Sequence, residues 1–225
     1  TAEHESGWDM TSRFDERCLD FAPVDLNCLL YKYECDLAYL FGELGNKQKV
    51  VDFALAAKKR KGLINTYLWS AQYGFFFDYD VKNQKQHKFF SLAGFLQLWV
   101  GLASQEQADA VVKHLETFEC AGGLANTQPI HAPKQYKQWD FPNGWPHQQY
   151  LIITALREYG YDDIARRLAK KWLDCNNAVF HETGTLWEKY DVVAKTPGKS
   201  GRYPTQAGFG WSNAVFYLLY KDFFA

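Results

Sequence analysis

Apolar residues recur at helical spacing along most of the chain. Val24, Leu26, Leu29, Leu30, Tyr33, Leu37, Leu40 and Leu44 follow Pro23 and stop at Gly45, which predicts a helix opened by a proline whose missing N–H costs nothing there. A second helical pattern runs from about Lys47 to Leu68, and a third and fourth from about Leu92 to Phe118 with a break near Ala103 and Ser104. Another pair spans Pro146 to Ala178. Gly160 divides it, with Tyr150, Ile153 and Leu156 before and Ile164, Leu168 and Trp172 after, the pattern of an antiparallel helical hairpin. A last apolar helix follows Gly210 and carries Trp211, Val215, Leu218 and Leu219.

Between the helices lie residues 1–22, 73–91, 120–146 and 180–209, rich in Trp, Gly, Pro and paired acids. Loops of this length and composition read as ordered, site-building segments. The Phe-Phe-Phe-Asp-Tyr-Asp run within Gly74 to Val81 predicts a short strand,. The helical pairs recur at roughly 45 to 60 residues without a clear sequence repeat, so the fold class is all-α, built of stacked hairpins that form a superhelix or close into a toroid.

Composition narrows the class. With 225 residues, 47% hydrophobic and 23% charged, the chain fits one domain over residues 1–225 with ample material for a core. Twenty-five basic residues balance twenty-six acidic ones for a net charge of −1, which offers little long-range attraction to nucleic acid or to an anionic membrane and favours a neutral partner. No apolar run approaches the roughly 18 to 20 residues a bilayer requires. Five cysteines without CxxC spacing suggest neither a disulfide framework nor a zinc site, and lean toward a reducing, cytoplasmic compartment. The histidines form no metal-binding pattern, and no nucleotide fingerprint or serine elbow occurs. The basic run Lys58 to Lys61 sits where cations complement a helix C-terminus,.

Three loops carry the chemistry. In Glu5-Ser6-Gly7-Trp8-Asp9, an acid follows a glycine that lets a ligand approach the backbone, with Trp8 as an apolar wall beside it. That suits a proton-donating carboxyl, and equally a tight turn capped by Asp9. Gln138 to Pro146 holds two prolines, Asn-Gly and two tryptophans, so it predicts a rigid loop presenting indole faces to a sugar, or an aromatic-rich structural loop. Glu188, in Leu186 to Asp191, is a second candidate carboxylate ahead of a glycine-rich segment, with Lys189 beside it to neutralise its charge. By local sequence alone Glu188 reads as a surface ion-pair residue. Two carboxylates in aromatic loops are what glycoside hydrolysis requires: one acid for the leaving oxygen and one base for water.

These segments resemble the trehalase family. Gln138 to Pro146 matches that family's Gln-Trp-Asp-x-Pro-Asn-Gly-Trp-Pro signature, Glu5 to Asp9 its Glu-Ser-Gly-Trp-Asp segment, Glu188 to Asp191 its Glu-Lys-Tyr-Asp segment, and Gly208 to Asn213 its Gly-Phe-Gly-Trp-Ser-Asn segment. The resemblance implies an (α/α)6 toroid, no cofactor, and inverting hydrolysis of a disaccharide, α,α-trehalose, with Asp9 as general acid and Glu188 as general base. Gly7 and Trp139 would line the sugar subsites. The family's first signature is absent, so the chain is expected to be the C-terminal half of the domain, with the missing N-terminal half as its partner and apolar helix faces left bare at the cut. His147 stands where the signature usually has a second proline. Arg202 stands where a glutamate usually contacts substrate, which places it at the leaving-glucose subsite. Two other outcomes fit the same motifs: a different α-glucosidase on this toroid, or a sugar-binding module without catalysis.

Overall fold

The chain opens with one helical turn, α1 (Ala2–Glu5), and a two-residue strand, β1 (Phe21–Ala22), before Pro23 leads into the first long helix, α2 (Val24–Glu43). The computed structural model describes residues 2–131, 135–199, 201 and 203–225. Asn46 caps α3 (Lys47–Leu63) by accepting the Lys49 N–H, satisfying one donor that a helix start leaves open. Arg60 on α3 then clamps Glu34 on α2 with a two-pronged ion pair, its Nη2 lying 2.7 Å from Oε1. The helix expected to reach Leu68 stops earlier. From Ile64 to Leu68 the chain winds into a wider π-turn, where Asn65 and Thr66 turn their side chains back onto the carbonyls of Lys61 and Gly62, a competition that loosens a helix end.

The hairpin of β2 (Trp69–Ser70) and β3 (Phe75–Phe76) follows, then β4 (Tyr79–Asp80) and β5 (Lys85–Gln86). The strand expected in Gly74 to Val81 is thus two short strands. Sheet order is β1-β4-β5, all antiparallel, with Phe21 opposite Asp80 and Asp80 opposite Lys85. The expected third and fourth helices are shorter than their pattern. A 3₁₀ turn at Leu92–Phe95 precedes α4 (Leu96–Trp99), and α5 covers only Gln105–Val112. Packing explains the first: a Cβ on Gly94 would fall 2.4 Å from the Phe75 ring and 2.8 Å from the Phe76 carbonyl, so this stretch lies flush on β3. A reciprocal cap between Ser104 and Gln107 starts α5,.

A second hairpin, β6 (Glu119–Cys120) and β7 (Gly123–Leu124), leads to β8 (Asn143–Gly144), α6 (Pro146–Glu158) and α7 (Asp162–Thr183), then β9 (Tyr190–Asp191), β10 (Thr196–Pro197) and α8 (Gly210–Phe224). Gly160, at φ +83°, makes the expected break between α6 and α7. The sheet runs β10-β9-β8, with Asn143 opposite Asp191 and Asp191 opposite Thr196.

The core is one continuous cluster in which two aromatic groupings stand out. Phe75, Phe77, Phe95 and Phe118 pack ring to ring about β3 and the 3₁₀ turn before α4, with Phe76 buried beside them, and Trp172 lies edge-on to Tyr190 where α7 meets β9. The α2–α3 hairpin contrasts with both. Of the twenty residues of α2 only Val24, Asp25 and Cys28 are buried, while Leu26, Leu29, Tyr33, Leu40 and Leu44, with Val51 and Leu55 of α3, are exposed. All five cysteines are free thiols. No helix among the described residues is long and apolar enough to cross a membrane.

Candidate active site

Asp9 leaves a turn that Gly7 makes at φ +79° and Met10 continues at φ +58°. Gly7 is exposed, and a Cβ there would meet nothing within 4 Å. Asp9 caps no local turn among the described hydrogen bonds. Its two oxygens are held from far along the chain: Oδ1 accepts the Trp139 indole N–H at 2.7 Å and Oδ2 the Gln138 amide at 2.9 Å. Asp140 stitches the two loops together, accepting the Thr11 hydroxyl and the Ser12 N–H, each at 2.9 Å. Burial pushes the Asp140 carboxyl above its ordinary value against those donors. The acid's position is therefore a property of the paired loops.

Beneath the turn lies Arg13, fully buried. Its guanidinium forks to Asp25 at 2.8 Å and to Asp78 at 2.6 and 2.7 Å, and sits 4.8 Å from the centre of the Trp8 ring. Burial works against the arginine's charge, and the two carboxylates outweigh it. Asp25 is in turn held below the usual carboxylate range, its own desolvation being overcome by Arg13.

Four indoles connect this region to the second carboxylate. Trp8 tilts onto Trp139 at 5.3 Å, Trp139 stacks on Trp145 at 4.1 Å, and Trp145 meets Trp211 edge-on at 5.5 Å. The Trp211 indole N–H donates to the Glu188 carbonyl at 3.0 Å. Trp139 is itself buried, so its contribution comes through its N–H on Asp9 as well as through its ring. His147 lies between Trp139 and Trp211, with centroids 5.6 and 4.9 Å away, and burial pulls it down to about 4.

Glu188 is 2% exposed, not the surface residue its neighbours in sequence suggest. Oε2 lies 2.8 Å from the Lys189 ammonium, and Oε1 accepts the Tyr203 hydroxyl at 2.8 Å. Burial, reinforced by Glu188, pushes the Tyr203 phenol up to about 12, so it remains a donor. That same hydroxyl faces the Gln138 amide, whose two N–H groups suit two acceptors. Asp9, Gln138, Tyr203 and Glu188 thus form one continuous polar chain.

The loop carrying Tyr203 is fixed from both sides. Asn143 donates to the Gln138 and Lys199 carbonyls at 2.9 and 3.0 Å and accepts the Lys199 N–H at 3.0 Å. Gly198 abuts Lys189, where a Cβ would fall 2.7 Å from Cγ, and Gly201 abuts Gln138, where one would fall 2.8 Å from its Cβ. Arg202 lies outside the described residues. Of the residues singled out in the sequence, Asp9 and Trp139 touch, Glu188 joins them through Gln138 and Tyr203, and Gly7 shapes the turn beside them. Sequence reasoning missed Gln138, Tyr203, Trp211 and the buried state of Lys189. Their only signal was membership of the same motifs.

The trehalase family model matches residues 2–223. The chain belongs to the trehalase family. It is 36% identical to the cytosolic neutral trehalase of Kluyveromyces lactis, over 96% of this chain and 32% of the relative, and 37% identical to that of Saccharomyces cerevisiae, over 96% and 33%. The solved neutral trehalase from Saccharomyces cerevisiae superposes with a TM-score of 0.82 at 36% identity, covering 96% of this chain and 40% of that one. A mannosylglycerate hydrolase from Thermus thermophilus shares the fold, with a TM-score of 0.68 at 22% identity over 88% of this chain and 48% of its own. This trehalase-family chain therefore has the helical hairpins of an (α/α)6 toroid, as its motifs predict, and spans about a third of the length of the curated relatives it matches.

Proposed function

We propose that residues 1–225 are the C-terminal half of a single catalytic domain, and that the complete enzyme hydrolyses α,α-trehalose to two glucose molecules with inversion. The observation that carries this reading is the polar chain from Asp9 through Gln138 and Tyr203 to Glu188. The two carboxyls share no direct hydrogen bond and are bridged by neutral side chains, an arrangement that suits an acid and a base on opposite faces of a sugar ring with water admitted between them,.

In this mechanism Asp9 gives its proton to the glycosidic oxygen as the bond to the anomeric carbon breaks. Glu188 takes a proton from the water that attacks that carbon from the opposite face. One glucose leaves as the α anomer and the attacked one forms as β. Trp139 and the backbone at Gly7 line the subsites, and Arg202 meets the leaving glucose. The bare apolar faces of α2 and α3 receive the N-terminal half of the domain. The free cysteines and the names of the cytosolic relatives support a cytosolic setting.

Glucose release by the full-length enzyme, with anomers followed by proton NMR, tests the reading. We expect equal α and β glucose at early times and a loss of about 10²- to 10⁴-fold in turnover for Asp9→Ala. Near-normal turnover by the folded variant, or β glucose absent from the initial products, would sink it.

A further inference from the structure

The two carboxyl groups are held by different kinds of partner. Asp9 is fixed by two neutral donors, the Gln138 amide and the Trp139 indole. Glu188 is fixed by one neutral donor, Tyr203, and one cation, Lys189. We propose that Lys189 distinguishes the two carboxyls, giving Glu188 a buried cation that Asp9 lacks and so favouring at Glu188 the charged form that a base needs,. This rests on the reading of Asp9 and Glu188 as acid and base.

Several observations separate Lys189 from an ordinary surface lysine. Its side chain is wholly buried, and among the described residues its one hydrogen-bond acceptor is Glu188. The ammonium lies 5.0 Å from the centre of the Trp145 ring and 5.2 Å from that of Tyr203, faces that favour a cation. Gly198 leaves no slack beside its stem. A lysine ammonium removed from water without a countercharge is strongly disfavoured, so each member of this pair stabilises the ionised form of the other.

The other groups facing Glu188 do not supply that charge. Tyr203 stays protonated. The Tyr190 hydroxyl, pushed up to about 12 by burial, accepts the Trp187 N–H. Asp191 faces away toward Lys199 at 3.6 Å and the amides of Val193 and Ala194. His147, behind Trp211, is neutral above about pH 4. Asp9 makes no direct contact with Glu188 among the described hydrogen bonds, and an acidic group supplies no cation. Lys189 acts through Glu188 and touches no reacting atom, so it is a positioning residue.

The test is the pH dependence of kcat/KM for trehalose, measured on the full-length enzyme with Lys189→Met, Lys189→Gln and Lys189→Arg. In the two uncharged variants the acid limb should move up by about one pH unit or more. The loss of rate near pH 5 should then exceed the loss near pH 7 by about tenfold, with KM near neutrality changed less than about threefold. Lys189→Arg should return the limb toward its original place. An acid limb that stays put in a folded, uncharged variant overturns the proposal. So does a failure of both uncharged variants to fold while Lys189→Arg folds, since the charge would then be needed for structure first. A wild-type enzyme that does not cleave trehalose instead overturns the catalytic reading of Asp9 and Glu188. An active wild type with unmoved variants removes only the role of Lys189.

Discussion

The hairpins β4–β5 and β9–β10 have the same frame and opposite contents. Each begins Tyr-Asp, pairs that tyrosine with Gln86 or Pro197 across the hairpin, and returns through a left-handed residue, Gln84 at φ +52° and Lys195 at φ +56°. Each is tied back at an equivalent point, His87 N–H to the Asp78 carbonyl and Gly198 N–H to the Lys189 carbonyl, both at 2.8 Å. Each follows a long helix pair and pairs with the strand that precedes that pair, β1 or β8. The two residues before the tyrosine differ. Phe77-Asp78 contributes an apolar side chain and a carboxylate that Arg13 neutralises; Glu188-Lys189 contributes a carboxylate and its own cation. The frame is therefore shared, and the proposed division between structural and chemical work rests on those two positions.

Crossed substitutions test that division. The largest effect is expected for Glu188→Gln, about 10²- to 10⁴-fold in turnover, measured well below its melting temperature. Comparable loss on replacing Phe77 by Leu would contradict the assignment. Arg13→Ala should instead cost about 3–5 kcal/mol of stability in a urea titration, because Asp25 and Asp78 are left buried and facing each other,. Loss under about 1 kcal/mol would mean that water enters the site.

The two regions should also part company with pH. His147 is drawn from its ordinary value to about 4 on folding, so the unfolded chain takes up the proton first. Its contribution is fully present above about pH 6.5 and falls away toward pH 4, by up to about 3 kcal/mol. Asp25, held below its ordinary value, contributes in full above the carboxylate range, begins to lose that contribution as the pH falls below its ordinary value, and has lost it once the pH is below its lowered folded value,. Asp140, raised by burial, works the other way and gains as the pH falls. Urea midpoints for His147→Phe should accordingly be flatter than wild type between about pH 6.5 and 4.5. An unchanged slope would assign the loss elsewhere. The smallest effect is expected for Gly198→Ala, about 1–3 kcal/mol of overpacking against Lys189,, read from the thermal midpoint.

The long helices were legible because burial imposes a period, and α6, α7 and the break at Gly160 follow theirs closely. The same rule misjudges α2, whose apolar positions recur correctly but are mostly uncovered here. Two-residue strands have no period, so the hairpins and their repetition could not be seen. At the site, the motifs located Asp9, Trp139 and Glu188. They did not reveal that Glu188 and Lys189, adjacent and oppositely charged, are buried together, since neighbouring charges ordinarily mark a solvated surface. Nor did any spacing connect Gln138 with Tyr203, whose meeting depends on how two loops fold over one another.

Gly198 and Gly201 give that loop a further property. Each occupies a place where a single methyl group would collide, one with Lys189, which pairs with Glu188, and the other with Gln138, which donates to Asp9. The backbone is therefore gauged by contact at two points, against the partner of Glu188 at one glycine and the partner of Asp9 at the other. A one-carbon change at either glycine would press directly on a residue that holds one of the two carboxyls.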